Sequence, residues 1–191
     1  MRFIVLDGLD GSGKDTQGIK VARYLARNAE NVVLRSHPAE DNIFGRRARK
    51  YLQSAGKKAH LIAALYYIAD VLRSVLNYYR PHRAHIIFVR YLMGVAYVPT
   101  ILMNSLYSFF ATLLPKPTCA ILVDVKPSVA RERIEKRGEA EEMFESVHRL
   151  KKQRKKMLQL AIANHWILVD GNESPEKTWK QIEGHLKSFG F

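Results

Sequence analysis

Short apolar runs recur along the chain with charged or amphipathic segments between them. Five of these runs, within 2–7, 31–36, 85–89, 120–125 and 166–170, are too short for buried helices and are bounded by turn formers, so they read as strands. The intervening segments read as helices: 14–27, 44–54, about 58–79, a stretch after Tyr97, 127–137, one or two exposed helices within 139–164, and 175 to about 189. In the long helix, Leu61, Ala64, Leu65, Ile68, Leu72 and Val75 recur at helical spacing and predict its apolar face, with Pro81 ending it. Strand and helix alternate throughout. That order predicts an α/β protein with a doubly wound, five-stranded parallel sheet and helices on both faces. A chain of 191 residues suits one such domain, 1–191, with a full core.

One stretch tests that picture. Residues 95–114 carry no formal charge and are long enough to cross a bilayer, yet Pro99 and Asn104 lie within them and Pro115 and Pro117 close them. The stretch reads as a helix buried against the sheet or at a subunit contact, with no membrane role expected.

Charge and composition add a constraint. The net charge of +13 points to polyanionic partners, although charge alone does not separate nucleotides from nucleic acid or anionic membrane. Its densest run spans 149–156, which also suits a solvated helix face. Cys119 is the one cysteine, so no internal disulfide forms. Set in an apolar run, it reads as a small core residue in a reducing, cytoplasmic setting. The first residues lack a basic leader followed by a signal-like apolar region, so export is not expected.

The most specific chemistry follows the first strand. Gly8-Leu9-Asp10-Gly11-Ser12-Gly13-Lys14-Asp15-Thr16 joins that strand to the first helix and matches G-x-x-x-x-G-K-[ST] through Gly8, Gly13 and Lys14. Glycines bring successive backbone N–H groups close to a phosphate chain, and the helix N-terminus adds donors and a positive dipole end. Lys14 supplies a point charge for the β- and γ-phosphates. The last motif position, normally a hydroxyl that ligates Mg²⁺, is Asp15. Either its carboxylate or the neighbouring Thr16 must take that role. Arg90-Tyr91 and the loop from Ser36 to Asn42 both follow strands, at the edge where an open parallel sheet places its ligands.

Taken in order, the loop from Gly8 to Gln17, Arg90-Tyr91 with Ala96-Tyr97, Ile121-Leu122-Val123-Asp124-Val125-Lys126-Pro127, Arg133-Ile134-Glu135-Lys136-Arg137-Gly138, Glu142-Met143-Phe144-Glu145 and Val169-Asp170-Gly171-Asn172 resemble thymidylate kinases. The similarity spans essentially the whole chain. It implies the P-loop nucleoside monophosphate kinase fold with a helical lid at about 133–150. It also implies phosphoryl transfer from ATP, with Mg²⁺, to a deoxynucleoside monophosphate, dTMP giving dTDP, in a homodimer. Gly8, Asp10, Gly11, Ser12, Gly13, Lys14, Asp15 and Thr16 would surround the donor, with Asn172 near adenine. Asp10 would also reach the acceptor, and Arg90 would clamp phosphates between the two. Some relatives carry an arginine inside the phosphate loop, where this chain has Gly11 and Ser12. The transition-state cations are therefore expected from Arg133 and Arg137. Aligning Ala69-Asp70 with the family pattern makes Tyr67 the residue that stacks on the acceptor base, with core packing the competing reading. Tyr97, His37 and Pro38 are further acceptor contacts.

Three positions depart from the family. Val89 replaces an aspartate, Val71 an arginine, and His37-Pro38-Ala39-Glu40 a loop that often supplies another arginine. Losing such cations weakens phosphate binding, since each charge-assisted hydrogen bond contributes about 1.5–3 kcal/mol. Arg73, Arg46, Arg47 and Arg49 are the candidates to compensate, and Asp15 the candidate to restore the carboxylate lost at Val89. These departures leave room for a different acceptor. They also keep open a second reading, a nucleic-acid-associated nucleotide-binding protein with weak or lost kinase activity.

Overall fold

The computed structural model describes residues 2–27, 31–54, 56–79, 84–138 and 146–191. Among them five strands, β1 (Phe3–Gly8), β2 (Val32–Ser36), β3 (His85–Val89), β4 (Cys119–Asp124) and β5 (Ile167–Asp170), form one parallel sheet. Their spatial order is β2-β3-β1-β4-β5. β1 is central, with Val5 opposite Phe88 on one side and Ala120 on the other. All six residues of β1 are buried, as an apolar strand covered on both faces must be.

Alternate side chains feed two cores. On one face, Ile4, Leu6, Ile87, Ile121 and Val169 pack with Val21 and Leu25 of α1 (Lys14–Leu25) and Ile182 and Leu186 of α7 (Pro175–Ser188). On the other, Phe3, Val5, Phe88 and Leu122 meet α3 (Lys57–Ser74), α4 (Thr100–Leu113), α5 (Pro127–Arg137) and α6 (Val147–Ala163). α2 (Ile43–Leu52) packs on α3 beyond the β2 edge of the site. Asn42 starts α2 by accepting the N–H groups of Phe44 and Gly45, the bonds of a helix N-cap.

Three expectations need correction. The face that α3 buries is Ala59, Ala63, Asp70, Val71 and Ser74, followed by Val75, whereas Leu61 and Leu65 are 63% and 58% exposed. Small residues allow close approach, and Asp70 makes internal hydrogen bonds, so this side packs inward despite its lower apolarity. The last turn of the long helix, Val75–Tyr79, is π-helical. The uncharged stretch does form a helix after Tyr97, but not one buried against the sheet, since Ile101, Leu102, Phe109 and Leu113 are 87%, 50%, 59% and 60% exposed. It holds a 3₁₀ turn, Met93–Tyr97, then Pro99, then α4, whose 14 residues span about 21 Å, short of a bilayer core of about 30 Å. By length and composition, the helix among the described residues that suffices to cross a membrane is Lys58–Tyr79. Finally, the basic run on α6 is not a uniformly solvated face. Leu150, Gln153, Lys156 and Met157 are buried, and the Lys156 ammonium donates to the Val98 carbonyl.

Pro81, the segment Glu142-Met143-Phe144-Glu145 and the middle of the expected lid, 139–145, lie outside the described residues.

Candidate active site

The loop after β1 turns through Gly11 and Gly13, at φ 76° and 87°, values that L side chains rarely adopt. Gly11 has a second constraint: a Cβ there would lie 2.4 Å from the Ala130 carbonyl oxygen of α5. Gly13 has open space, the cradle that a phosphate group needs. Ser12 is buried, and its hydroxyl accepts the Lys14 N–H at 3.4 Å. Thr16 is exposed on the first turn of α1.

Lys14 is 1% exposed and folded back into the loop, its ammonium donating to the Leu9 carbonyl at 2.8 Å and to Asp10 at 3.2 Å. Across the cleft, Arg90 follows β3 with a left-handed backbone, φ 61°, which is costly for an arginine. Its surroundings hold it there. The Arg90 N–H donates to the Leu6 carbonyl at 3.0 Å, and the Arg90 carbonyl oxygen lies 2.9 Å from His37 Nδ1. The buried Asp7 carboxylate accepts the next N–H groups, from Tyr91 at 2.9 Å and Met93 at 3.3 Å.

The Arg90 guanidinium reaches Asp10 at 2.8 Å and both oxygens of Asp15 at 3.2 Å. Asp15 also accepts the Ser36 hydroxyl at 2.5 Å, and Tyr97 donates to Asp10 at 3.4 Å. Burial alone would raise the Asp10 carboxyl, but Lys14 and Arg90 outweigh it and hold it well below the carboxylate range. Asp15 follows the same pattern: burial raises it, Arg90 and Lys14 lower it, and the net shift is downward. Arg90 moves up, because Asp10 and Asp15 overcome the desolvation that would lower it. The expected residues Asp10, Lys14, Asp15, Arg90 and Tyr97 therefore meet in one cluster.

On the β2–β3 side, the His37–Pro38 loop lies against α3. Asp70 accepts the Ala39 N–H and the Asn42 side-chain amide, each at 2.7 Å. His37 is fully buried, edge-on to Phe88 and Tyr67, and burial foremost pushes its imidazole below its ordinary range. Since a carbonyl only accepts, Nδ1 carries the proton. Nε2 is left as a buried acceptor with no partner among the described residues. Tyr67 donates to the Tyr91 carbonyl at 3.1 Å and packs on the core with its ring nearly perpendicular to that of His37, while Tyr66 points outward and stacks on Tyr51.

The candidate compensating arginines are not in the cluster. Arg46 and Arg49 bind Glu40, the former through its carbonyl, and Arg47 donates to Tyr66, all on the outer side of α2. Arg49 was expected at the acceptor. Its ion pair keeps it in a surface depression with Arg46, Lys50 and Gln53. Arg73 lies nearer, within electrostatic reach of Asp41, and its Nη1 is buried with no partner among the described residues. Val71 packs in the core, and Val89 is buried against Gly18 of α1.

On the β4–β5 side, Arg133 donates to the carbonyls of Gly11, Gly171, Asn172 and Glu173 at 2.8–3.4 Å, bracing the phosphate loop against the loop after β5. Arg137, expected as its partner, is exposed at the end of α5, one helical turn beyond Arg133. Asn172 accepts the Lys126 N–H at 2.8 Å and donates to Asp170, tying the loops after β4 and β5 together. Arg154 grips Asp124 through two bonds of 2.8 Å. Burial pushes the Cys119 thiol up to about 12, as fits an inert core residue.

Sequence reasoning missed Asp7, Ser36 and the Asp124–Arg154 pair, and used Asp70 only as an anchor. An aspartate ending a fully apolar strand beside the phosphate loop was a readable signal. The pairing partners of Ser36 and Arg154 lie at 15 and 124, far off in sequence, and left no local trace.

A phosphate-binding loop on the central strand, facing an arginine at the end of the neighbouring one, defines a P-loop nucleotide kinase. A family model described as thymidylate kinase matches residues 6–182. The chain belongs to the thymidylate kinase family. It is 30% identical over 198 residues to the thymidylate kinase of Carboxydothermus hydrogenoformans, with 97% of each chain covered. It is 29% identical over 192 residues to the probable thymidylate kinase of Pyrobaculum aerophilum, covering 98% of this chain and 97% of that one. The probable thymidylate kinase of Sulfolobus acidocaldarius is 28% identical over 203 residues, with 99% and 100% covered. The protein is accordingly a nucleoside monophosphate kinase.

Proposed function

We propose that this protein transfers the γ-phosphoryl group of ATP to dTMP, giving dTDP and ADP. The observation that carries the reading is the meeting of Lys14, Asp10, Arg90 and Tyr97 at the mouth of the β1 loop, within a chain of this family. An oxygen of the acceptor phosphate attacks the γ-phosphorus, and the bond to the β,γ-bridging oxygen breaks as ADP leaves. The protein's part is positioning and charge stabilisation. Loop amides hold the donor phosphates, Lys14 turns from Leu9 toward them, and Arg90 spans donor and acceptor. Arg137 is a further candidate cation for the transferring group. Asn172 stands on the adenine side, while Tyr67, Pro38 and Arg73 line the acceptor side and the buried His37 supports its loop.

Mg²⁺ is expected with ATP. The hard oxygens of Asp15 and Thr16 at the loop's end fit it, because Mg²⁺ is bound by one or two carboxylates plus substrate phosphates rather than by an all-protein cage. When bound, it neutralises developing charge on the phosphates.

A coupled assay with ATP and a panel of nucleoside monophosphates tests the reading. Phosphorylation of dTMP above the other acceptors is the expected result, and no turnover with any of them overturns it. No observation favours the nucleic-acid alternative.

The same reading takes the chain as one cytoplasmic kinase domain that works as a homodimer. Support for the dimer is the apolar stripe of α3 and the π-helical turn after it, Leu61, Leu65, Ile68 and Leu76, with Leu61, Leu65 and Leu76 more than half exposed. Light scattering after gel filtration should give twice the chain mass and, for Leu65→Lys, the monomer mass. A monomeric parent removes the dimer from the reading.

A further inference from the structure

The last position of the phosphate loop carries a charge where the motif calls for a hydroxyl, and the structure gives that charge specific partners. Asp15 holds Arg90 through both carboxylate oxygens and takes the Ser36 hydroxyl on Oδ1. Asp10 holds the other side of the same guanidinium, and Lys14 as well. Both cations that would meet phosphate are thus occupied by carboxylates. The formal charges of Lys14, Arg90, Asp10 and Asp15 cancel, whereas a hydroxyl at position 15 would leave the same cluster with one net positive charge. The two carboxylates differ in access. The Asp10 side chain is 11% exposed and that of Asp15 is 49% exposed, so Asp15 is the one that a solvent cation can reach without unpacking the loop.

We propose that Asp15 makes the phosphate site cation-gated: with no divalent cation it masks Arg90 and repels the polyphosphate, and with one it releases the guanidinium. The inference rests on the reading of the loop as the ATP site. An uncompensated triphosphate approaching the loop meets a fixed carboxylate at short range in a partly desolvated cleft, where like charges repel strongly. Once Asp15 turns its oxygens to a divalent cation, that repulsion becomes attraction and Arg90 keeps only Asp10. Its Nη1 is then available for a phosphate oxygen. A serine or threonine at position 15 can also ligate the cation but masks nothing in its absence. The gate therefore belongs to the carboxylate.

Binding, without turnover, tests this. ADP is titrated calorimetrically into the parent, Asp15→Thr and Asp15→Asn, once in EDTA and once in excess Mg²⁺. Mg²⁺ binding by ADP itself is common to all three proteins and cancels in the comparison. The expected result is that Mg²⁺ tightens ADP binding by about tenfold more in the parent than in Asp15→Thr, a difference of one charge-assisted contact. The expected source is the EDTA series, where the variant binds more tightly than the parent. Asp15→Asn keeps the size of the side chain without its charge and carries the comparison if the threonine variant does not fold. An equal Mg²⁺ effect in parent and variants overturns the gate while leaving the ATP site intact. No ADP binding by the parent in either condition overturns the site and the gate together.

Discussion

Asp7, the penultimate residue of the buried β1, accepts the backbone N–H groups of Tyr91 and Met93, so one carboxylate ties the strand that launches the phosphate loop to the segment that follows Arg90. Burial raises this carboxyl, and the N–H group of Tyr91 and the charge of Lys14 oppose the rise without cancelling it. Asp7→Asn keeps the shape, but since both oxygens accept in the parent, its amide must face the N–H groups of Tyr91 and Met93 or that of Gly8. Urea denaturation should register a loss of about 1–3 kcal/mol. kcat should fall with it, because the left-handed conformation of Arg90 loses a restraint. Unchanged stability and kcat would count against the tie.

Asp70 does for the acceptor loop what Asp7 does for Arg90. Asp70→Ala leaves the Ala39 N–H and the Asn42 amide without their acceptor and should cost about 1–3 kcal/mol. In steady-state kinetics the KM for the nucleoside monophosphate should rise more than kcat falls, with the KM for ATP little changed. A larger change on the ATP side would show that the loop serves the donor instead.

Gly11 explains why this chain has no arginine in its phosphate loop. Its φ of 76° and the Ala130 carbonyl 2.4 Å from a built Cβ leave no room for one. Gly11→Arg should not endow the loop with a working cation. It should lower Tm by several degrees and abolish ADP binding, as should Gly11→Ala. A stable, active Gly11→Arg enzyme would mean that α5 yields easily.

His37 gives the fold an acid limit. Its imidazole is pushed below the unfolded value of about 6.5, so the unfolded chain binds the proton more readily. The resulting stability is complete above that unfolded value and declines as pH falls through it toward the folded one. Denaturant midpoints should therefore drop between pH 7.5 and pH 5, and His37→Gln should flatten that slope. A parallel decline in both proteins would assign the effect to other groups.

Much of this architecture could be read before any coordinates. The five strands fall where short apolar runs predict them, since a strand buried on both faces has few other ways to be written. The phosphate loop was equally legible, because its glycines and lysine answer a local backbone demand. The inward face of α3 was misread, since apolar spacing marks a stripe without saying whether the sheet or another surface covers it. Small residues and an internally satisfied Asp70 won the inward position. Arg49 escaped for a related reason. It is held by Glu40, and a guanidinium's partner is not encoded at its own position.

The sheet order divides the site between two flanks. β2 and β3 carry the loops of His37 and Arg90, while β4 and β5 carry those of Lys126 and Asn172, with β1 between them as a shared spine. The three departures from the family, at Val71, Val89 and the loop from His37 to Glu40, all fall on the β2–β3 flank or its covering helix. The two flanks still meet at one point: Asp15, the donor-loop position that departs from the motif, is bonded to Ser36 and Arg90 of the β2–β3 flank, so a change on that flank is felt at the donor loop.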